Sequence, residues 1–405
     1  MDLRTMPETI TTKPVFFPMS NVIQNYAWGS TTSITQLFGI ENPHGEPQAE
    51  IWMGAHPNGC STVVNQAENM LLSSLINTDL PAYLGDKTAD TFGELPYLFK
   101  VLCAEKALSI QVHPNKQQAE IGFAREERQG IAHNSAERNY KDPNHKPELV
   151  YALTPYQAMN GFRSIAAIID NFTQLEINTL STLIEALKAD QSEQGLTQFF
   201  TAILSLDGEA KQTALEGLMA FAKQSSDPLF GLLIDLESQY PGDIGLFAPL
   251  MLNVLTLQPG EAMFLDAETP HAYIKGSGLE IMANSDNVLR AGLTPKYMDI
   301  PELVSCTRFV EMPFESLLLA PSEHDGVLEY AIPVADFKFA VILSSTQRTI
   351  SSNSAEILLP LDSKMVLNHA DGSHCEVEKG QSVFIPAYAR EYTIDCEGRV
   401  ARAYC

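Results

Sequence analysis

Residues 257–273 read LQPGEAMFLDAETPHAY, and residues 377–393 read VEKGQSVFIPAYAREYT. Each segment has a Gly, then a Phe four residues later, then an Ala three residues after that. A turn, a short apolar strand and a second turn are typical of a small antiparallel barrel, so the recurrence predicts two related β modules. Glu391 stands in the second segment where the first has His271. We therefore expect the second module to have lost a ligand site and to be structural.

The spacing of apolar residues changes twice along the chain. Residues 15–163 read as short strands separated by turn residues, whereas residues 165–240 show apolar residues at helical spacing. Strand patterns return after PGDIG at 241–245, with one further helix expected near 301–304. The sequence thus predicts a mainly β protein with a helical insert. The predicted domains are residues 1–163 plus 241–313, a helical insert of residues 164–240, and a C-terminal β domain of residues 314–405.

Composition and charge narrow the function. With 405 residues, 45% of them hydrophobic and 19% charged, the chain is long enough for two or three folded domains. A net charge of -24 disfavours nucleic acid and anionic membranes as partners, and requires a local positive cluster for any anionic ligand. Six dispersed cysteines without a C-x-x-C pair fit reduced thiols, and no signal peptide or bilayer-spanning run is evident. We expect a cytoplasmic protein.

A strand at residues 107–114, ALSIQVHP, alternates between an apolar and a polar face. The apolar face is predicted to hold Leu108, Ile110 and Val112, and the polar face Ala107, Ser109, Gln111 and His113. The same alternation places Lys146 with Glu148 in KPELV (146–150), and His271 with Tyr273 in PHAYIK (270–275). Three strands therefore each present polar side chains on one face.

Two imidazoles, one carboxylate and one amide oxygen from these strands make a plausible divalent-metal site with an open position for a substrate. Taken singly, each of the four is as readily explained as a hydrogen-bonded core or surface group. Their conjunction favours the metal site. Two histidines with one carboxylate also suit a non-haem iron oxygenase, so the ligands alone do not name the reaction.

Charged residues near these strands add to the picture. Lys100 interrupts the apolar run 98–102, so its ammonium should face a cavity or a counter-ion. The segment YIKGSGLE (273–280) predicts a hairpin that turns at 275–278 and places Tyr273 opposite Glu280 on the cavity face.

The segment DNVLRAGLTPK (286–296) supplies Asp286, Arg290 and Lys296. Its local pattern is equally compatible with a solvated i,i+4 pair of Asp286 with Arg290. No phosphate-binding Walker sequence, nucleophile elbow or dinucleotide fingerprint occurs in the chain.

Several long motifs carry a resemblance to a known family. They are NYAWGS (25–30), AEIWMGAHPNGCS (49–61), LPYLFKVLCAEKALSIQVHPN (95–115), NHKPELVYAL (144–153), MNGFR (159–163) and the run from LDAETPHAY to GLEIMANSDNVLRAGLTPK (265–296). In order and in detail the chain resembles type I mannose-6-phosphate isomerases. The resemblance implies a cupin-type jelly-roll bicupin: a catalytic barrel, an inserted helical domain and a C-terminal cupin-like β domain.

The resemblance also implies a cofactor and a reaction. One zinc ion per subunit would be held by Gln111, His113, Glu148 and His271. The implied reaction interconverts mannose 6-phosphate and fructose 6-phosphate through a cis-enediolate. The expected partner is therefore a small sugar phosphate, and we expect a monomer because the insert and the C-terminal domain would cover surfaces that a dimer would use.

Catalytic roles are less fixed by the resemblance. Lys146, two residues from a metal ligand on the same strand face, is the favoured base for the proton transfer, and Glu280 is the rival. Tyr273 belongs to the same cavity face. His145 and Asp286 occupy family active-site positions that would assist ring opening or proton relay. Further residues would bind the phosphate or the developing negative charge: Lys100, Ser109, Arg290 and Lys296.

Two alternative functions, from other classes of protein, are also compatible with part of the sequence. A non-catalytic bicupin that senses a sugar phosphate needs a phosphate clamp but no base at the sugar carbons, so Lys146 and Glu280 would be idle. An iron-dependent cupin oxygenase is favoured only by the two histidines and one carboxylate. Gln111 as a fourth ligand and the lysine and arginine cluster argue against the oxygenase.

Overall fold

The structure is a computed structural model that describes residues 13–65 and 68–405. Residues 1–12, with which the first predicted domain begins, lie outside the described residues. The strands are β1 Phe17–Ser20, β2 Val22–Gln24, β3 Glu50–Gly54, β4 Thr62–Asn65, β5 Glu68–Leu71, β6 Tyr97–Ala104, β7 Gln111–Val112, β8 Glu148–Ala152, β9 Tyr156–Phe162, β10 Leu252–Leu257, β11 Ala262–Leu265, β12 His271–Ala283, β13 Leu289–Arg290, β14 Ser322–His324, β15 Val327–Glu329, β16 Lys338–Ile342, β17 Ser345–Ser351, β18 Glu356–Pro360, β19 Met365–Asn368, β20 His374–Val377, β21 Ser382–Ile385, β22 Glu391–Cys396 and β23 Val400–Tyr404.

The α-helices are α1 Ser33–Phe38, α2 Leu72–Ile76, α3 Leu80–Leu84, α4 Asp86–Phe92, α5 Lys116–Gln129, α6 Ile165–Thr173, α7 Ser181–Ala189, α8 Glu193–Leu204, α9 Gly208–Ala222, α10 Pro228–Gln239, α11 Ala248–Met251 and α12 Ile300–Ser305. Short 3₁₀ turns cover Asn178–Leu180, Ile244–Phe247, Phe314–Ser316 and Ala387–Ala389. These elements confirm a mainly β protein with a helical insert, and α12 confirms the helix expected near 301–304. Among the described helices, none is both long and apolar enough to cross a bilayer.

Three sheets form the β structure. A ten-stranded sheet runs in the order β10-β9-β12-β6-β3-β2, with β7, β8, β11 and β13 joined to it. A nine-stranded sheet has the order β14-β15-β16-β23-β18-β21-β1-β4-β5, and a four-stranded sheet the order β17-β22-β19-β20. Strands from the start of the chain therefore complete a sheet built mainly from its end, so pairing crosses the predicted boundary at residue 314.

The helical insert, α6 to α10, leaves the ten-stranded sheet after β9 and returns before β10. Phe162 and Leu252 are paired across these two strands, so the insert leaves and re-enters the sheet at neighbouring positions. Its apolar side chains form one hydrophobic cluster with Ile110 and Val112. The insert therefore shares its core with the segment on which the metal ligands Gln111 and His113 were predicted.

Helices α1 to α5 lie in a region for which the sequence predicted only short strands, and that prediction was wrong. Most are a turn or two long, too short for periodicity to reveal. The exception, α5, begins with a capping box in which Asn115 Oδ1 accepts the backbone N–H of Gln118 at 2.9 Å. The reverse hydrogen bond, from the backbone N–H of Asn115 to Gln118 Oε1, is 2.8 Å long.

The two repeated segments adopt matching structures. Gly260 and Gly380 both have positive φ, at 96° and 79°, and each is followed by a four-residue strand, β11 or β21. His271 and Glu391, at equivalent positions, open β12 and β22. The prediction of two related β modules is confirmed.

The predicted hairpin at residues 275–278 is wrong, because β12 continues without a turn for 13 residues. Its partner changes instead: β12 pairs with β9 as far as Lys275, with a register shift between Tyr273 and Lys275, and with β6 from Gly276 onward. Glu280 follows Tyr273 by seven positions, and an odd offset places two side chains on opposite faces of a regular strand. The register shift between Tyr273 and Lys275 brings both side chains to the same face, where they line one cavity.

The face assignment at residues 107–114 holds only in part. Ile110 and Val112 are buried in the core shared with the insert, and Ser109 and Gln111 line the cavity, as predicted. Ala107 belongs to that core instead of the polar face, and Leu108 lines the cavity instead of the apolar face. The regular strand begins only at Gln111, so strict alternation does not apply before it.

Gly276→Ala is expected to destabilise the protein by roughly 1–3 kcal/mol. The Gly276 φ is 128°, and an added Cβ would lie 2.5 Å from the carbonyl oxygen of Pro155. As a matched control, Gly231→Ala in α10 meets no atom within 4 Å and should stabilise by about 0.5–1 kcal/mol. Urea unfolding measures both; equal effects of the two substitutions would contradict the role assigned to Gly276.

Candidate metal centre and active site

Three strands bring a histidine, a carboxylate and a second histidine together. His113 follows β7, Glu148 opens β8 and His271 opens β12. The Nε2 atoms of His113 and His271 lie 3.3 and 3.6 Å from Oε1 and Oε2 of Glu148. One ligand atom of each residue lies within 4.8 Å of the others, and all three side chains are buried. This spacing suits ligands that share one metal ion.

Backbone carbonyls fix the orientation of both imidazoles. His113 Nδ1–H donates to the carbonyl of Asn287 at 2.7 Å, and His271 Nδ1–H donates to that of Thr269 at 2.8 Å. A ring that donates from Nδ1 presents a lone pair at Nε2. Among the described residues, His113 Nε2 has no hydrogen-bond partner. Two lone pairs facing the Glu148 carboxylate repel it, and a bound cation would convert that repulsion into coordination.

Gln111 completes the set predicted from the sequence. Its backbone is paired with that of His271, and its Nε2 donates to Ser109 Oγ at 3.3 Å, which leaves Oε1 available as a ligand. Gln111 lies beside Glu148 and His271 in the wall of a cavity of about 80 Å3. The complete wall consists of Glu50, Lys100, Leu102, Leu108, Ser109, Gln111, Lys146, Glu148, His271, Ala272, Tyr273 and Glu280.

Glu148 has further partners besides the imidazoles. Lys146 Nζ lies 3.2 Å from Oε1, and the Tyr273 hydroxyl donates to Oε2 at 2.8 Å. Burial acts to raise the pKa of Glu148, but Lys146 and His113 outweigh burial and hold that pKa well below its usual range. Burial and the Lys146 charge lower the pKa of His113 to about 4, and burial also lowers the pKa of His271. The neutral rings and the ionised carboxylate are the forms that bind metal.

A second charge network, of Lys100, Glu280 and Glu50, lies in the same cavity wall. Lys100 Nζ lies 2.8 Å from Glu280 and 3.8 Å from Glu50, and 5.3 Å from the ring centroid of Trp52. Burial disfavours its ammonium, yet Glu280 and Glu50 outweigh burial and raise the pKa of Lys100. Burial raises the pKa of Glu280, against the effect of Lys100. The prediction that Lys100 faces a counter-ion is confirmed, and the structure provides two, Glu280 and Glu50.

Besides His113, Arg290 and Lys296, two predicted residues lie outside this cavity wall, His145 and Asp286. His145 Nε2 lies 3.0 Å from each carboxylate oxygen of Asp336. Asp286 accepts a hydrogen bond from Asn58 Nδ2 at 2.9 Å, and its Oδ1 lies 3.6 Å from His56 Nε2. The local reading of an i,i+4 ion pair between Asp286 and Arg290 is wrong, because residues 286–290 form no helix.

A positive cluster flanks the cavity. Arg290 in β13 is paired through its backbone with Gln111. Burial lowers the pKa of Arg290, and burial together with the charges of Arg290 and Lys141 lowers the pKa of Lys296. Such mutual repulsion is relieved by an anion. The structure therefore brings Arg290 and Lys296 together and adds Lys141, which the sequence did not single out.

Sequence reasoning missed Glu50 and His56. Glu50 lies in the cavity wall, and its Oε2 accepts the Trp52 Nε1–H at 2.6 Å. An acidic residue in the buried strand β3, EIWMG, is the same signal that identified Lys100 in β6. His56 is buried edge-on against Trp52, at 5.1 Å between ring centroids, and follows a strand end as many functional residues do.

Fold and cavity together define a metal-binding bicupin with a helical insert. Three family models match the chain: "Phosphomannose isomerase type I, catalytic domain" over residues 16–165, "Phosphomannose isomerase type I, helical insertion domain" over residues 171–252, and "Mannose-6-phosphate isomerase, cupin domain" over residues 327–405. The cupin-type C-terminal unit is thereby confirmed.

Relatives agree along nearly the whole chain. Mannose-6-phosphate isomerase of Escherichia coli (strain K12) is 48% identical over 387 residues, covering 95% of this chain and 98% of its own. The Homo sapiens mannose-6-phosphate isomerase is 38% identical over 386 residues, covering 87% and 89%. A zinc-bound mannose 6-phosphate isomerase structure superimposes with a TM-score of 0.92 at 46% identity, covering 96% and 99%. The chain belongs to the type I phosphomannose isomerase family.

Lys100→Met is expected to destabilise the protein by roughly 3–5 kcal/mol, because it leaves the buried carboxylates Glu50 and Glu280 without a counter-charge. The loss should shrink between pH 7.5 and pH 5, because burial raises the pKa of Glu280 and removal of Lys100 raises that pKa further, and a protonated Glu280 needs no counter-charge. Lys275→Met, on the neighbouring strand β12, removes the exposed 3.0 Å pair with Glu105 and should change stability by less than about 1 kcal/mol. Urea unfolding at both pH values measures this; a loss for Lys100→Met that is independent of pH would refute the explanation.

Proposed function

We propose that this chain is a zinc-dependent aldose–ketose isomerase that interconverts mannose 6-phosphate and fructose 6-phosphate. One observation carries the proposal, in a member of this family: Glu148 and His271 of the three-residue metal-ligand group share one cavity wall with two candidate proton-transfer groups, Lys146 and Glu280. The third member, His113, lies with its Nε2 3.3 Å from Glu148. A small, largely buried cavity keeps water away from a reactive intermediate. A hexose phosphate is larger than about 80 Å3, so it would extend outward from the metal ligands.

The donor set fits one zinc ion per subunit. His113 and His271 would ligate through Nε2, Glu148 through its carboxylate and Gln111 through Oε1, which leaves a position for a substrate oxygen. When bound, the ion would supply positive charge beside the carbonyl and enediolate oxygens of the substrate. The residues behind the ligands support this assignment, because Asn287, Thr269 and Ser109 each hold one ligand by a hydrogen bond.

The chemical step moves a proton between adjacent sugar carbons. A ring-opened sugar loses a proton next to its carbonyl, becomes a cis-enediolate and takes a proton on the neighbouring carbon. Lys146 is the base that we favour, since its Nζ reaches the cavity beside Glu148. Glu280 is the rival, but its carboxylate is engaged by Lys100 at 2.8 Å. A positioned base contributes about 10²–10⁴-fold in rate.

Other residues receive roles from their positions. Arg290 and Lys296, with Lys141, would bind the phosphate, and Ser109 would contact the substrate from the cavity wall. Lys100, flanked by two carboxylates, suits the developing negative charge better than a phosphate dianion.

Tyr273 would act within the cavity by holding the Glu148 carboxylate through its hydroxyl hydrogen bond. Asp286, which has His56 beside it, would assist ring opening, as would His145. His145 would do so from behind the cavity wall, where its Nε2 contacts Asp336.

We further propose the three-domain division at residues 1–163 plus 241–313, 164–240 and 314–405. Helices α6 to α10, all within residues 164–240, support the middle unit, and the family models support its neighbours. A cytoplasmic location and a monomeric state remain predictions, testable by fractionation and by light scattering.

Conversion of mannose 6-phosphate to fructose 6-phosphate, measured with a coupled assay, tests the function. We expect activity in the zinc-loaded protein, loss on chelation and recovery when zinc is added back, because the substrate oxygens lose their positive partner without the ion. Magnesium added at the same concentration is the control, since it prefers oxygen ligands and should restore little.

Two outcomes would favour the competing classes. Binding of mannose 6-phosphate without turnover by the metal-loaded protein would indicate a sensor. Oxygen uptake restored by iron instead of zinc would indicate an oxygenase. Isomerisation that persists after complete removal of metal would contradict the role of the His113, Glu148 and His271 group.

Lys146→Ala and Glu280→Gln separate the two candidate bases. If Lys146 is the base, its loss should lower exchange of the substrate C1 and C2 hydrogens with solvent by about 10²–10⁴-fold, while Glu280→Gln retains more of the exchange. Mass spectrometry of substrate in deuterated water measures both rates. Exchange at the wild-type rate in Lys146→Ala, with zinc content unchanged, would exclude Lys146 and leave Glu280 as the base.

A further inference from the structure

The C-terminal region contacts the active-site strand through one charged pair. Asp336 places both carboxylate oxygens 3.0 Å from His145 Nε2, and its side chain is only 6% exposed. The next residue, Phe337, is fully buried in the hydrophobic cluster that also holds Phe99 of β6. The carboxylate is therefore fixed by a packed backbone, and the imidazole donates to a rigid acceptor.

His145 lies in a short segment whose backbone is held by hydrogen bonds on both sides. On the side towards the N terminus, Asn287 clamps the backbone through Lys141 N–H at 2.7 Å and the Asn144 carbonyl at 2.8 Å. On the other side, the Pro147 carbonyl accepts the Ala283 N–H and β8 begins. Between these two anchors, the side chain of His145 reaches across to Asp336. The residue that follows it is Lys146.

Contacts divide the two neighbours between opposite sides of the chain. Lys146 lines the metal cavity beside Glu148, whereas His145 is absent from the cavity wall and contacts Asp336 of the C-terminal region. A force on the His145 side chain therefore changes where Lys146 enters the cavity. Displacing a reacting group by about 1 Å costs up to about 100-fold in rate.

We propose that Asp336 is a positioning residue for the isomerisation: it holds His145 from behind and thereby fixes Lys146 against the substrate. The inference rests on the proposed function and on the assignment of Lys146 as the base. It gives the C-terminal β region a part in the reaction, beyond the structural role expected from the loss of ligands in its module. Other contacts of this region, such as the Tyr97 hydroxyl with the Ala403 carbonyl at 3.0 Å, serve cohesion alone.

Steady-state kinetics of zinc-loaded, full-length variants test the proposal. Asp336→Ala should lower kcat about 10- to 100-fold and leave KM within about twofold, because ground-state binding does not use Lys146. Asp336→Asn keeps one acceptor oxygen and should lose less, roughly threefold or more. Because both residues act through one contact, the double variant Asp336→Ala, His145→Ala should be no slower than the slower single variant.

Tyr97→Phe is the matched control. It removes a buried hydroxyl between the same two regions, so it should lower the thermal midpoint while kcat stays at the wild-type value. A wild-type kcat in folded Asp336→Ala, or multiplied losses in the double variant, would overturn the proposal. If Asp336→Ala does not fold, a wild-type kcat in Asp336→Asn overturns it. Absence of turnover in the wild type itself would instead refute the proposed function, and with it the positioning role.

Discussion

The structure depends on a carboxylate held almost completely out of water. Glu148 is 2% exposed, and an isolated buried anion would be prohibitively unstable. Two imidazoles, the Lys146 ammonium and the Tyr273 hydroxyl surround it. These groups come from three separate segments of the chain. The strands must therefore meet in one register for the anion to be tolerated. The same arrangement creates the metal-ligand group. Stabilisation of the buried Glu148 carboxylate is therefore required both by the fold and by the proposed chemistry.

Strand β6 lines the cavity with one face and packs against the C-terminal region with the other. The front face of β6 carries Lys100 towards the cavity, while Phe99 and Val101 on its back face pack against Phe339 of the C-terminal region. Because side chains alternate, each strand transmits packing on one side into position on the other. A back-face substitution that shifts the strand backbone is therefore felt at the cavity without touching it, whereas one that leaves the backbone in place is not. The C-terminal region belongs to the active site in this mechanical sense.

Sequence patterns could predict the polar faces but not the backbone irregularities. Gln111, His113, Glu148 and His271 were placed by alternation and by the family resemblance. The structure puts Gln111, Glu148 and His271 in one cavity wall and His113 Nε2 3.3 Å from Glu148. The bulge between Tyr273 and Lys275 was read as a hairpin, since two glycines signal a turn and a close backbone approach alike. The contact of His145 with Asp336 joins residues 191 positions apart, and no local pattern reports such a pairing. Glu50 could have been predicted from the sequence, because it is a charged residue in an apolar strand, the same signal that identified Lys100.

The shared core of the helical insert has one further consequence. Ile110 packs among the helices, while its neighbours on either side, Ser109 and Gln111, face the proposed metal site. Ligand that binds only the native state adds to the free energy of unfolding of every element that unfolds together with the site. The insert is therefore thermodynamically linked to an ion that it never touches. A molecule that has lost its metal should therefore be less stable in its helical insert as well as at the site itself.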